Sequence, residues 1–169
     1  MLNKINYFNR FLTFHRYGVN NEKWRVGFTE AVMGTYKNWG AEEMGYVMPA
    51  AVHLETEENR GINTNLMWLV DGMLKWLDMT IYGEFLVDDF ALDGGSPPQI
   101  AGSIGIGKIY KKVLLNIEYT HVNRWTGNYC DSLKRWIEMD VPIGHSLGSD
   151  AHQLLLCSYI PFNNKLALK

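Results

Sequence analysis

Long apolar runs are missing from this chain. No stretch of about 18 or more consecutive apolar residues occurs, which excludes a transmembrane helix. The longest apolar stretches, such as Leu66 to Val70 and Val113 to Leu115, are short. An excess of one charge is also missing: 16 Lys and Arg against 18 Asp and Glu give a formal net charge of -2. Such a balance creates no field that would draw in nucleic acid or acidic lipid, so no nucleic-acid partner is expected. The two cysteines, Cys130 and Cys157, are too few for a disulfide framework and do not form a C-x-x-C pair, so both are read as unpaired. His15, His53 and His152 are scattered without metal-ligand spacing, and neither a metal nor another cofactor is expected. The opening residues, Met-Leu-Asn-Lys-Ile-Asn-Tyr-Phe-Asn-Arg, lack the apolar core of about seven or more residues that a secretory signal needs. For an exported protein this predicts that the true N-terminus lies upstream.

What the chain has is aromatic residues, nine Tyr, seven Phe and six Trp, with a mean hydropathy too low for a helical membrane protein. It also has short segments of period two. From Leu114 to His121, Asn116, Glu118 and Thr120 alternate with Leu115, Ile117 and Tyr119. From Met79 to Asp88, Met79, Ile81, Gly83, Phe85 and Val87 share a face opposite Thr80, Tyr82, Glu84 and Asp88. From Trp24 to Ala31, Trp24, Val26 and Phe28 oppose Arg25, Gly27 and Thr29. Each reads as a strand with one wet face. Further strands are predicted at Tyr7 to Tyr17, Gly102 to Ile109 and His152 to Ile160, and at Asn65 to Trp76, where Leu66, Val70, Met73, Leu74 and Leu77 also fit a helical face.

Between these strands, short connections at Tyr17 to Trp24, Leu74 to Met79, Ile109 to Val113 and Pro161 to Lys165 alternate with long ones. The long ones, Gly34 to Asn63, Asp89 to Ala101 and Val122 to Ala151, run to roughly thirteen to thirty residues, whereas compact soluble domains use connections of about four to six. Outer-membrane barrels show this alternation, with short periplasmic turns and long extracellular loops. A closed sheet satisfies every backbone group inside lipid, where open edges are costly. A soluble sandwich or lipocalin-like barrel around a dry core shares the same strand pattern. Aromatic rings near strand ends, Tyr7, Tyr17, Trp24, Tyr36, Trp39, Trp76, Tyr110 and Trp125, favour the membrane reading. The expectation is an all-β fold, an antiparallel meander of about seven to eight strands forming part of a transmembrane barrel. Thr80, Glu84, Asn116, Glu118 and Thr120 would then face the lumen, sign-matched to Arg10, Arg16 and Arg25.

Three stretches, Tyr82-Gly83-Glu84-Phe85-Leu86-Val87-Asp88-Asp89-Phe90, Ile117-Glu118-Tyr119-Thr120-His121-Val122-Asn123-Arg124-Trp125 and Gly144-His145-Ser146-Leu147-Gly148-Ser149-Asp150, together resemble the capsule-assembly (Wzi-like) barrel family. Phe8 to Arg16 and Gly27 to Val32 are similar to it too, so the resemblance covers most of the chain. Ser146 and Ser149 stand where the family tends to carry prolines. The resemblance implies a bacterial outer-membrane barrel longer than this chain, a non-enzymatic surface lectin that holds capsular polysaccharide or exopolysaccharide. Residues 1–169 would be a single partial barrel domain truncated at both ends; Leu166-Ala167-Leu168-Lys169 also lacks the terminal aromatic of bacterial barrels. Partners would be the polysaccharide and outer-membrane lipid.

The candidate polysaccharide contacts are Asp88, Asp89, His121, Asn123, Arg124, Trp125, His145 and Asp150. Asp88 and Asp89 are suited to sugar hydroxyls or a cation, or else are structural acids. As strand neighbours they point to opposite faces and do not easily flank one glycosidic bond. Trp125 beside Arg124 and Asn123 offers a ring for an apolar sugar face and fixed donors for hydroxyls, or marks a membrane boundary. The Gly144 to Asp150 stretch holds Ser, His and Asp without a G-x-S-x-G elbow, and its glycines serve loop closure. An outer-membrane porin or transporter and an outer-membrane hydrolase are the alternative functions. A lumen closed by charge pairs favours the lectin, an open bore the channel.

Overall fold

Residues 9–36, 64–88, 98–128, 130, 132–138, 141–142, 146–163 and 166–168 are described by a computed structural model of the chain. Asp89, His145, Tyr7 and Trp39 lie outside the described residues. The strands are β1 (Asn9–Asn20), β2 (Trp24–Tyr36), β3 (Asn65–Trp76), β4 (Met79–Asp88), β5 (Ile100–Tyr110), β6 (Val113–Val122), β7 (Ile137–Glu138), β8 (Val141–Pro142), β9 (Ala151–Asn163) and β10 (Leu166–Leu168). One antiparallel sheet of eight strands runs β1-β2-β3-β4-β5-β6-β9-β10, and β7 pairs with β8 as a separate small hairpin. The sheet is open, ending on β1 and β10. Successive strands of this sheet pair in chain order, with β9 following β6 past the small hairpin, so the antiparallel meander expected from the alternating connections is what forms.

Asn65–Trp76 is a strand and not a helix. Its apolar residues fall on both sides: Leu66, Val70 and Leu74 point one way and Met67 and Leu69 the other, which blurs the period of two. Pro161, expected in the last turn, instead pairs with Ala167, beside a register shift between Leu166 and Ala167. A proline has no N–H for a ladder and is tolerated next to such an irregularity.

The turns are tight at one end of the sheet. Asn21 accepts hydrogen bonds at Oδ1 from the N–H groups of Lys23 and Trp24, both at 2.8 Å, and so folds its own turn. Leu77-Asp78 and Lys111-Lys112 close the next two hairpins, with Leu77 at φ 57° and Lys111 at φ 59°. The left-handed region costs a non-glycine residue roughly 1–2 kcal/mol, and two-residue hairpin turns require it. All three long connections leave from the opposite end.

The registers sort the side chains onto two faces. On one lie Trp24, Val26, Phe28, Val70, Leu74, Trp76, Phe85, Ile104, Ile106, Leu115, Ile117, Tyr119, Leu154 and Leu156, all of them exposed. Ile104 is 61% and Leu156 69% accessible, whereas Val32 and Glu30 of β2, on the same face near the long-connection end, are buried, so the face is uncovered over most of its area and covered at that corner. Of its polar members, Thr13, His15, Glu30, His121 and His152 sit toward the long-connection end, and Lys108 and Ser158 toward the tight turns. The other face carries Arg16, Arg25, Asp71, Tyr82, Glu84, Asn116, Glu118 and Thr120. Its apolar residues include Leu12 and Phe14 on β1 and Leu155 and Tyr159 on β9 toward the sheet's margins, and Met33, Met67, Leu69, Leu86 and Val122 toward the long-connection end.

Long polar side chains cross this second face by lying over glycine. Arg16 reaches across Gly27 to Asp71, with Nη1 to Oδ2 at 2.7 Å and Nη2 to Oδ1 at 2.9 Å, and Nη1 also donates to Thr29 at 2.9 Å. A Cβ at Gly27 would come within 2.6 Å of Asp71 Oδ2. Arg25 Nε stands 3.8 Å from the same carboxylate. Tyr82 lies over Gly105, donates to Glu118 Oε2 at 2.7 Å and accepts from Asn116 Nδ2 at 2.8 Å. The expected sign-matching therefore takes place on this face, with Asp71 in place of Glu84 or Glu118 as the partner of Arg16 and Arg25.

Candidate functional site

The connection from β6 to β9 turns back over the polar face. It leaves β6 through Asn123, whose N–H donates to the Ile100 carbonyl at 3.0 Å, and makes a turn in which Thr126 N–H reaches the Asn123 carbonyl at 3.2 Å. Thr126 Oγ1 donates to the Ile100 carbonyl at 3.0 Å. Gly127, at φ 79°, donates its N–H to Asp88 Oδ2 at 2.5 Å, and its carbonyl accepts from Trp136 N–H at 3.0 Å. A short 3-10 turn, Ser132–Lys134, follows.

The sheet grips this connection from four strands, β1 to β4. Arg10 of β1 donates to the carbonyls of Arg135 and Ile137, both at 2.7 Å. Asn65 of β3 donates to the Lys134 carbonyl at 2.9 Å. Trp136 packs into a cluster with Met33 and Met67, flanked by Ala31 and Leu86. Every sheet residue in that list belongs to the polar face, so the small core of the described residues lies on the side that carries the charges. Each buried carbonyl held by Arg10 or Asn65 would otherwise lose about 1–3 kcal/mol through desolvation.

Between the connection and the sheet is a cavity of about 630 Å³. Its polar contributors are Glu84, Thr120, Thr126, Asn128 and Ser149, and Trp136, Leu69 and Val122 supply apolar wall. Glu84 has no hydrogen-bond or ion-pair partner among the described residues. Trp136 Nε1 is buried, likewise without a partner among them. A second, smaller cavity of about 310 Å³ lies further along the same face, beside Arg16, Asp71 and Glu118.

The sequence-derived candidates divide into three groups. Asp88 is 0% exposed and serves the loop, accepting the Gly127 N–H; Asp89 and His145 lie outside the described residues. Asn123 is a hub: its side chain contacts His121 and donates to the Pro98 carbonyl, and its own carbonyl receives the N–H groups of Thr126 and Asp150. Asp150, at φ 59°, is exposed beside it. Arg124 and Trp125 stand apart and exposed, with the guanidinium carbon 5.2 Å from the indole centroid. That distance fits a cation–π pair, which holds the ring at the surface.

The residues that line the large cavity were not legible as a site. Trp136, Asn128 and Ser149 sit inside a long connection with no period, and only the fold brings them to Glu84 and Thr120. The described part of the Gly144 to Asp150 stretch, Ser146 to Asp150, contributes Gly148 and Ser149 to the cavity wall. Among the described residues no helix is long and apolar enough to cross a membrane, and no group of three or more His, Cys, Asp or Glu side chains gathers. No protein-family model, curated protein or solved structure matches the chain.

Proposed function

We propose that this sheet is wall from an outer-membrane β-barrel that holds capsular or other surface polysaccharide at its long-connection end, without catalysis. The observation that carries the reading is the seating of the β6–β9 connection on the charged face, gripped by Arg10, Asn65 and the Met33–Met67–Trp136 cluster. A soluble sheet covers its apolar face with other elements. Here the covered face is the polar one over most of the sheet, with Glu30 and Val32 of the apolar face buried at its long-connection end, the arrangement of a barrel whose lumen is polar and whose outside meets lipid.

Strand dimensions agree. From Trp68 to Trp76 the apolar face spans about 26 Å along the strand at about 3.3 Å per residue, and tilt shortens it toward the roughly 25 Å band of known barrels. Tyr17, Trp24, Trp76 and Tyr110 ring this face near the tight turns, and Phe11, Tyr36, Trp68 and Tyr119 near the other end, as interfacial aromatics do. The same connection also occupies the mouth, which favours a binder over an open pore. The cavity it leaves offers hydroxyl, amide and carboxylate partners beside an indole, a set suited to a sugar. The resemblance to capsule-assembly proteins points to the same ligand.

The test is binding of purified capsular polysaccharide to the protein in detergent, with and without Trp125→Ala and Glu84→Gln, alongside conductance in a planar bilayer. Binding that falls at least about tenfold in one variant, with little conductance, supports the reading. Absence of binding in every form, or a large steady conductance, overturns it.

A further inference from the structure

The pairing of β6 with β9 sets His121 directly opposite His152, on the apolar face at its long-connection end. The two Nδ1 atoms are 3.1 Å apart, while the ring centroids are 4.4 Å apart with planes 33° from parallel. The rings therefore splay so that their Nδ1 edges converge. The Tyr119 hydroxyl lies 2.8 Å from His152 Nδ1, making a third donor atom at the same point.

The surrounding hydrogen bonds settle which electrons face inward. Asn123 Nδ2 donates to the Pro98 carbonyl at 3.0 Å, which turns the amide oxygen toward His121 Nε2. An amide oxygen only accepts, so the His121 proton resides on Nε2 and its Nδ1 presents a lone pair. In the metal-free protein His152 Nδ1–H donates to that lone pair at 3.1 Å, an ordinary hydrogen bond between imidazoles. A metal ion that displaces this one proton takes up both Nδ1 lone pairs, with the Tyr119 oxygen 2.8 Å from His152 Nδ1.

The geometry points to a binding site for one divalent transition-metal ion of the imidazole-preferring kind, Cu²⁺ or Zn²⁺, held by His121 Nδ1 and His152 Nδ1 with the Tyr119 oxygen beside them. Two nitrogens each about 2.05 Å from a tetrahedral ion stand about 3.3 Å apart, close to the separation present here. Imidazole suits both ions, and copper binds more tightly in the usual order of affinities. The contact from Nε2 to a fixed oxygen acceptor is what metal-bound histidines use to set tautomer and ring orientation. With two imidazoles as its main ligands, the site leaves coordination positions open to water. It is independent of the polysaccharide reading, because it lies on the opposite face from the cavity.

The test is titration of the full chain with Cu²⁺, followed by calorimetry and by electron paramagnetic resonance, which reports the number of bound imidazole nitrogens. The expected result is one ion per chain with two nitrogens. His121→Gln and His152→Gln should each weaken binding at least a hundredfold, and His15→Gln should leave it unchanged. Asn123→Ala, which keeps both ligands, should weaken it by about 10–100-fold. Circular dichroism of each variant checks that the sheet is intact, and the surface position of the pair keeps these substitutions compatible with folding. No binding up to millimolar ion, a single-nitrogen signal, or binding that survives both histidine substitutions overturns the proposal.

Discussion

Replacing Gly105 by Ala tests whether a flat-lying tyrosine is what ties the middle of the sheet together. A Cβ at this position would lie 2.5 Å from Tyr82 Oη and 2.7 Å from Cε2, so the ring must leave. With it go the bond to the Glu118 carboxylate and the bond from Asn116. A hydrogen bond to a charged group contributes about 1.5–3 kcal/mol and a neutral one about 0.5–1.5. The group is only partly buried, so the lower halves apply, and the loss is about 2–3 kcal/mol. Ala regains about 0.5–1 kcal/mol by restricting the unfolded backbone, leaving a net destabilisation near 2 kcal/mol. Tyr82→Phe removes the same bonds but keeps the ring, and should lose about 2 kcal/mol too. Because both substitutions remove one set of bonds, the double variant should be about 2 kcal/mol more stable than the sum of the two predicts. Denaturant unfolding of all four proteins in the same detergent measures this. Additivity within about 0.5 kcal/mol would show that Tyr82 and Gly105 act separately and would refute the argument.

Two further outcomes follow from the connections at either end. Arg10→Ala removes both donors to the Arg135 and Ile137 carbonyls and should release the β6–β9 connection while the sheet persists. Hydrogen exchange would then quicken across 132–138 and stay slow in β3 to β6; an unchanged pattern would mean that Asn65, Asp88 and Trp136 suffice to seat the connection. At the tight-turn end, the hydrogen bond from Lys108 holds the Asp78 carboxyl below its ordinary value, with the two side chains 3.0 Å apart. A folded-state pKa below the unfolded one gives stability that is present above the unfolded pKa and is lost as pH falls through the folded one. The small difference in unfolding midpoint between the natural protein and Asp78→Asn should therefore vanish on acidification below about pH 4; a difference that persists at low pH would assign it to the turn itself.

Period two reveals a strand only where its two faces meet different surroundings. Leu115, Ile117 and Tyr119 against Asn116, Glu118 and Thr120 could be read because one face of β6 is uncovered and the other lies against polar groups. Asn65–Trp76 could be read two ways because Met67 and Leu69 lie under the returning connection, so an apolar residue is suitable on both sides. The two-residue turns gave little signal, since Leu77-Asp78 and Lys111-Lys112 are not glycine or asparagine pairs; their geometry is imposed by the hairpins they close. The partner of Arg16 was hidden for a different reason. Asp71 is brought within reach only because Gly27 lies between them in the register, and a contact across three strands leaves no trace in sequence spacing. His121 and His152 were likewise unreadable as a pair, being far apart in the chain and joined only by the alignment of β6 with β9.

The polar face also constrains how a long polysaccharide would be held. Arg16 over Gly27 and Tyr82 over Gly105 lie along the sheet, crossing from strand to strand without standing up from it. Side chains laid flat bind strands together while taking little of the space above them. That leaves open space on this face, including a cavity of about 630 Å³ beneath the β6–β9 connection and an adjoining one of about 310 Å³ beside the Arg16–Asp71 pair, with Glu84 in the wall of both. On the barrel reading, a chain of sugars threading a bore would have to displace the connection, breaking the bonds from Arg10 and Asn65 and unpacking Trp136. Binding at the mouth requires none of this, because Trp125 and Arg124 are already exposed there and the upper cavity lies directly beneath the connection. On the polysaccharide reading, ligand should therefore be retained at the mouth while Arg10 continues to protect residues 132–137 from exchange. A ligand that speeds their exchange would instead mean that the connection moves aside, and would favour passage through the barrel over retention at its rim.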